Sequence, residues 1–112
     1  MTIDDFRKMA LALPETAELP HFDLISFRVK GKIFATYHAK RDCAMLKLSM
    51  INQSIYCDMD KKVFYPVPGG WGKKGATFVE LKPVKKQVFR EALQKAWACA
   101  APKKLVEEFK KK

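Results

Sequence analysis

The chain has 112 residues, 48% of them hydrophobic, with 22 lysines and arginines against 12 aspartates and glutamates and a formal net charge of +10. That length and apolar content fit one domain, residues 1–112, with a real core, and exclude a disordered chain; only the basic tail Lys110-Lys111-Lys112 is expected to fray. No run of about 18 apolar residues is present, so no membrane-spanning helix is expected. Asp4 and Asp5 near the N-terminus do not suit a signal peptide, and three widely spaced cysteines (Cys43, Cys57, Cys99) suit free thiols in the cytoplasm.

The predicted elements begin with a helix capped by Thr2, with Ile3, Phe6, Met9, Ala10 and Leu13 on its apolar face. Pro14 stops it, and Glu15–Asp23, with Pro20 and His21, reads as a connector. Residues 24–30 alternate Ile25, Phe27 and Val29 against Ser26, Arg28 and Lys30, a strand with one wet face. Lys30-Gly31 turns the chain into a second strand, Lys32–His38, and Cys43–Leu48 forms a third. Ser49 caps a helix to about Cys57, with Ile51, Ile55 and Tyr56 at helical spacing. A short strand at Val63–Tyr65 leads into a Pro/Gly loop, and Ala76–Lys82 is the last strand. Pro83 opens the strongest helix, whose stripe runs from Val84 through Phe89 and Trp97 to Ala100, and Pro102 begins a final short helix with Leu105, Val106 and Phe109. This order predicts an α+β fold: an antiparallel sheet with helices on one face.

Two features point to function. The loop Phe64–Leu81 holds four of the five glycines, with Trp71 beside Lys73 and Lys74. An aromatic and two cations on one loop can stack on a base and neutralise phosphate, although Trp71 could equally fold onto the sheet as a lid. Residues 1–60 carry 8 charges of each sign, whereas residues 61–112 carry 14 basic and 4 acidic residues. The whole excess therefore lies in the second half and suggests an acidic partner. Trp71, Lys73, Lys74, Lys85, Lys86 and Arg90 form the candidate nucleic-acid-binding set, on the expectation that loop, helix start and helix polar side share one surface.

Other chemistry finds less support. His21 and His38 are the only histidines, and His38 with Cys43 gives one local pair, but no CxxC, HxxxH or HExxH spacing occurs. His21 reads as a backbone-contacting junction residue, and Cys43 and Cys99 as buried, inert thiols. Gly70, Gly72 and Gly75 have a superficial dinucleotide-loop spacing but precede a strand, not a helix. No catalytic residue, metal or cofactor is expected. A solvated basic face, an interaction module for an acidic protein or peptide, with monomer and homodimer both open, and an enzyme for a small anionic substrate are the competing readings.

Several pieces together resemble the MmcQ/YjbR-like family: Ala12-Leu13-Pro14-Glu15, His21-Phe22, Phe27-Arg28-Val29, Gly31-Lys32-Ile33-Phe34-Ala35, Leu46-Lys47-Leu48-Ser49, Phe64-Tyr65-Pro66-Val67-Pro68, Gly70-Trp71-Gly72, Ala96-Trp97 and Ala101-Pro102-Lys103. The resemblance implies a small α+β domain with an antiparallel sheet against helices. It also implies DNA binding through loop-and-strand wings. Two departures stand out. Ala76 occupies a position where such proteins often carry tryptophan, which leaves Trp71 as the stacking candidate, and Asp60-Lys61-Lys62 lacks a frequent proline.

Overall fold

The computed structural model describes residues 1–111. Six strands and five helices follow one another as α1 (Ile3–Leu11), β1 (Thr16–His21), β2 (Leu24–Val29), β3 (Lys32–His38), β4 (Cys43–Lys47), α2 (Met50–Met59), β5 (Phe64–Pro66), α3 (Gly70–Lys73), β6 (Ala76–Glu80), α4 (Lys86–Ala100) and α5 (Lys103–Lys110). The strands form one sheet in the order β1-β2-β3-β4-β6-β5, every pair antiparallel. The α+β architecture is the expected one.

Helix α1 starts at a capping box: the Asp5 amide donates to Thr2 Oγ1 at 3.2 Å, and the Thr2 amide donates to Asp5 Oδ2 at 3.1 Å. Helices α1 and α4 press on one sheet face, where Phe6 meets Phe27 and Phe89 at ring-centroid distances of 4.8 and 5.0 Å. Phe89 and Trp97 are fully buried, as their stripe predicts. The Trp97 indole N–H donates to the Pro14 carbonyl at 3.0 Å, so the polar tip of this core residue is satisfied across 83 residues of sequence.

The supposed connector Glu15–Asp23 is mostly strand: Thr16–His21 pairs along its whole length with β2. Pro20 hid it, yet this is an edge strand, where a missing N–H is tolerated. Pro83 does not open α4. It lies in a turn; Lys85 is extended and caps a helix that starts at Lys86, while Val84 drops into the core ahead of it. Pro102 is likewise the N-cap of α5, not part of its first turn. Lys110 closes α5 and Lys111 caps it; Lys112, the end of the expected frayed tail, lies outside the described residues.

Helix α2 is rotated from the expected face. Of the expected apolar residues, Ile51 and Ile55 are exposed and Tyr56 is buried; Gln53 is buried with it. Gln53 decides this rotation: its amide Nε2 donates to the carbonyls of Gly72 at 2.9 Å and Ala76 at 3.1 Å, pinning α2 to the glycine loop.

Candidate ligand-binding face

The sheet face away from α1 and α4 presents one cross-strand row from Leu19 through Ser26, Thr36, Met45 and Phe78 to Tyr65. Alternation along each strand dictates this row. The face is not uniformly wet, as its polar side chains had suggested: Ser26 and Thr36 are buried. Ser26 Oγ donates to the Leu19 carbonyl at 2.8 Å and accepts from Arg28 Nε at 3.1 Å. Phe78 is also covered, with the Arg41 guanidinium 4.5 Å above its ring. Arg41 donates to the Tyr65 hydroxyl, which in turn donates to the Glu80 carboxylate. That carboxylate contact, more than burial, raises the Tyr65 pKa.

A cavity of about 280 Å³ opens in the middle of this face. Thr36, Met45 and Phe78 contribute its floor; His21, Leu24 and His38 close one end, and Lys47, Val67, Trp71 and Ala76 the other. His38 Nε2 lies 2.9 Å from Thr36 Oγ1. Burial, and then the Arg41 charge, depress the His38 pKa against the opposing pull of Asp23, so the ring is neutral near pH 7. His21 lines the cavity and meets the Phe22 ring edge-on at 4.9 Å, a different setting from the backbone contact expected of it. Phe22, at the tip of the β1–β2 hairpin, is 93% exposed with φ of 60°. A bulky residue rarely adopts that conformation unless the turn requires it.

Trp71 stands at the cavity mouth, 66% exposed, with Lys47 Nζ 6.0 Å from its ring centroid. Its loop is built by close contacts. A Cβ on Gly72 would lie 2.0 Å from the Val67 carbonyl oxygen, and one on Gly75, at φ of 104°, 1.8 Å from that of Leu48. Glycine here permits backbone-on-backbone packing and, with Gln53, fixes the loop. Ala76, where the sequence resemblance leads one to expect tryptophan, lies on the cavity wall, and its small side chain leaves that space open.

The six sequence-selected residues do not gather on one surface. Lys74 lines a groove of about 330 Å³ with Lys32, Lys47 and Cys99, beside the C-terminal end of α4. Lys73 ends α3. Lys85 and Lys86 stand at the other end of α4, roughly 20 Å away along a 15-residue helix. Lys86 there reaches Asp5 at 3.6 Å, and Arg90 lines a helix-side groove with Lys8 and Phe109. Lys32 and Lys47 were missed because the charge count put the excess in the second half. Their wet positions in alternating strands were the available signal. Cys43 is buried on the sheet and burial raises its pKa, whereas Cys99 is exposed, because its helix position faces the groove and not the core. His38 and Cys43 are register partners on adjacent strands. Among the described residues no group of three or more His, Cys, Asp or Glu side chains is placed to hold a metal ion, and no helix is long and apolar enough to cross a membrane.

An all-antiparallel sheet with α1 and α4 on one face, and an overhung cavity on the other, defines a small α+β domain with an open sheet face. The chain belongs to the YjbR family, whose model matches residues 11–99. The crystal structure of Deinococcus radiodurans protein DR2400, with the family-model domain DUF419, is similar at a TM-score of 0.77 and 22% identity, over 88% of this chain and 77% of that one. That likeness is one of fold. No protein with a curated description matches the chain.

Proposed function

We propose that the chain is a cytoplasmic nucleic-acid-binding module, DNA being the first target to test, and not an enzyme. The observation that carries this reading is the exposed Trp71 held beside Lys47, with Lys73 and Lys74 on the same loop and Lys32 on the adjoining groove. Cations there neutralise phosphates while the indole offers a stacking surface. Lys85, Lys86 and Arg90 act only as a distant basic patch. Trp97 is buried, so a change in tryptophan fluorescence on binding reports Trp71. Titration of duplex and single-stranded oligonucleotides at two salt concentrations tests the reading. Log K falls with log salt by about 0.9 per phosphate neutralised on duplex and about 0.7 on single strands. Replacing Lys73 and Lys74 with alanine lowers that slope by about 1 to 2. Absence of binding at low salt and high micromolar protein overturns it.

A second reading, docking of another protein chain, draws support from α2. Ile51, Ile55 and Met59 form an exposed stripe at spacing of four residues on a helix without lysine or arginine. Light scattering of the protein alone and of an Ile55→Lys variant separates it: a mass that halves in the variant supports self-association.

A further inference from the structure

We infer that the open-face cavity is a seat for one unstacked nucleobase, with the phosphate of that nucleotide lying in the neighbouring lysine groove. The inference deepens the nucleic-acid reading and rests on it for the strand-borne source of the nucleotide. Free nucleotides carry the same chemistry and are the alternative source.

Three observations converge. The first is adjacency: the apolar cavity of about 280 Å³ and the basic groove of about 330 Å³ share two wall residues, Ile33 and Lys47. A ligand seated in one therefore meets the other across the shared Ile33 and Lys47 wall. Base and phosphate differ in polarity in the same way as these two compartments, which a wholly apolar or wholly anionic ligand does not. The second is the aromatic surface. Trp71 at the mouth, 66% exposed, offers a ring on which a flat heterocycle can stack, and the covered Phe78 adds to the apolar floor. The volume lies just below the range usual for drug-sized ligands, which suits one ring system and not a folded peptide. The third is a polar edge inside the apolar lining. Thr36 Oγ1, bonded to His38 Nε2 at 2.9 Å, keeps a further hydrogen-bonding position for the edge of a base. Lys47 joins the compartments: its ammonium lies 6.0 Å from the Trp71 ring centroid and lines both.

The test uses the full chain and a fluorescein-labelled 12-nucleotide thymidine oligomer, with an abasic oligomer of the same phosphate count, followed by anisotropy. Stacking of a base contributes about 1–3 kcal/mol, so the thymidine strand should bind roughly 5- to 150-fold tighter than the abasic strand. Leu24→Trp fills the cavity from its partly exposed rim at the start of β2, away from the helix-covered core. Circular dichroism verifies its fold. This variant should lose the preference for bases and keep the salt slope set by the lysines. Should it fail to fold, Trp71→Ala, which removes the exposed stacking ring and leaves the lysines, replaces it with the same expected loss. Competition with adenosine and thymidine 5′-monophosphates identifies the source. Equal binding of both strands by the wild type overturns the base seat while leaving the lysine–phosphate reading intact. A monophosphate that binds, with loss in Leu24→Trp, while no oligomer binds, keeps the seat for free nucleotides and removes the nucleic-acid reading. Binding of neither overturns both.

Discussion

Gln53→Leu removes a side chain whose hydrogen bonds tie α2 to the Trp71 loop, while nearly conserving volume. The glutamine is 5% exposed, and its Nε2 makes two hydrogen bonds, to the Gly72 and Ala76 carbonyls. Each such bond contributes about 1 kcal/mol net, and an orphaned buried carbonyl would add a further 1–3 kcal/mol. Neither carbonyl is orphaned here. Ala76 O still accepts from the Val67 amide at 2.9 Å, and Gly72 O from the Gly75 amide at 3.1 Å. The loss is therefore two net bonds, about 2–3 kcal/mol, and not the larger desolvation penalty. For a chain of this size that lowers Tm by roughly 8–12 °C and the urea midpoint by roughly 1–2 M. Urea unfolding followed by far-UV circular dichroism measures it. A midpoint within error of wild type would show that the amide does not fix the loop, and the account of α2's rotation would fail with it.

Phe89→Ala opens a cavity against Phe6 at the centre of the helix-covered face, and chemical denaturation should show a loss of about 3–5 kcal/mol. Gly75→Ala should cost about 1–3 kcal/mol by thermal unfolding, since its Cβ meets the Leu48 backbone at a positive φ; Gly70→Ala, with open space around it, should fall within about 1 kcal/mol of wild type. His38 is held neutral in the native state by burial first and Arg41 second. Its contribution to stability is therefore full above the unfolded pKa of about 6.5, and is lost as pH falls from there through the depressed native value. His38→Gln should flatten that acid limb of the urea midpoint as pH falls below the unfolded value of about 6.5.

The elements with a strong local period were legible in the sequence. The stripe through Phe89 and Trp97 specified a helix and the face it buries, and alternation in residues 24–29 and 43–47 specified strands. Elements that exist only through partners were not. β1 carries Pro20 and little alternation, and it is a strand because β2 lies beside it. Residues 70–73 have poor helix propensity and form one turn because Gly72 must pass against Val67. The face of α2 followed from Gln53, whose partners lie 19 and 23 residues away. An apolar-period reading selects Ile51, Ile55 and Tyr56, of which only Tyr56 is buried.

The candidate site divides in the same way. Trp71, Lys73 and Lys74 announce themselves as neighbours on one loop, but Lys32 and Lys47 join them only because β3 and β4 pair and end beneath that loop. Summed charge could not find this cluster, because it draws two of its lysines from the neutral half of the chain. Nor could it separate Lys85 and Lys86, which share the charged half but stand at the far end of α4. The glycines gave the most misleading signal. Their density suggests a mobile loop, yet Gly72 and Gly75 are there because backbone carbonyls occupy the space a side chain would need. Trp71 is thus exposed on a fixed support and not on a swinging one. A platform held in place loses less conformational entropy when a base stacks on it than a loop that must first be ordered.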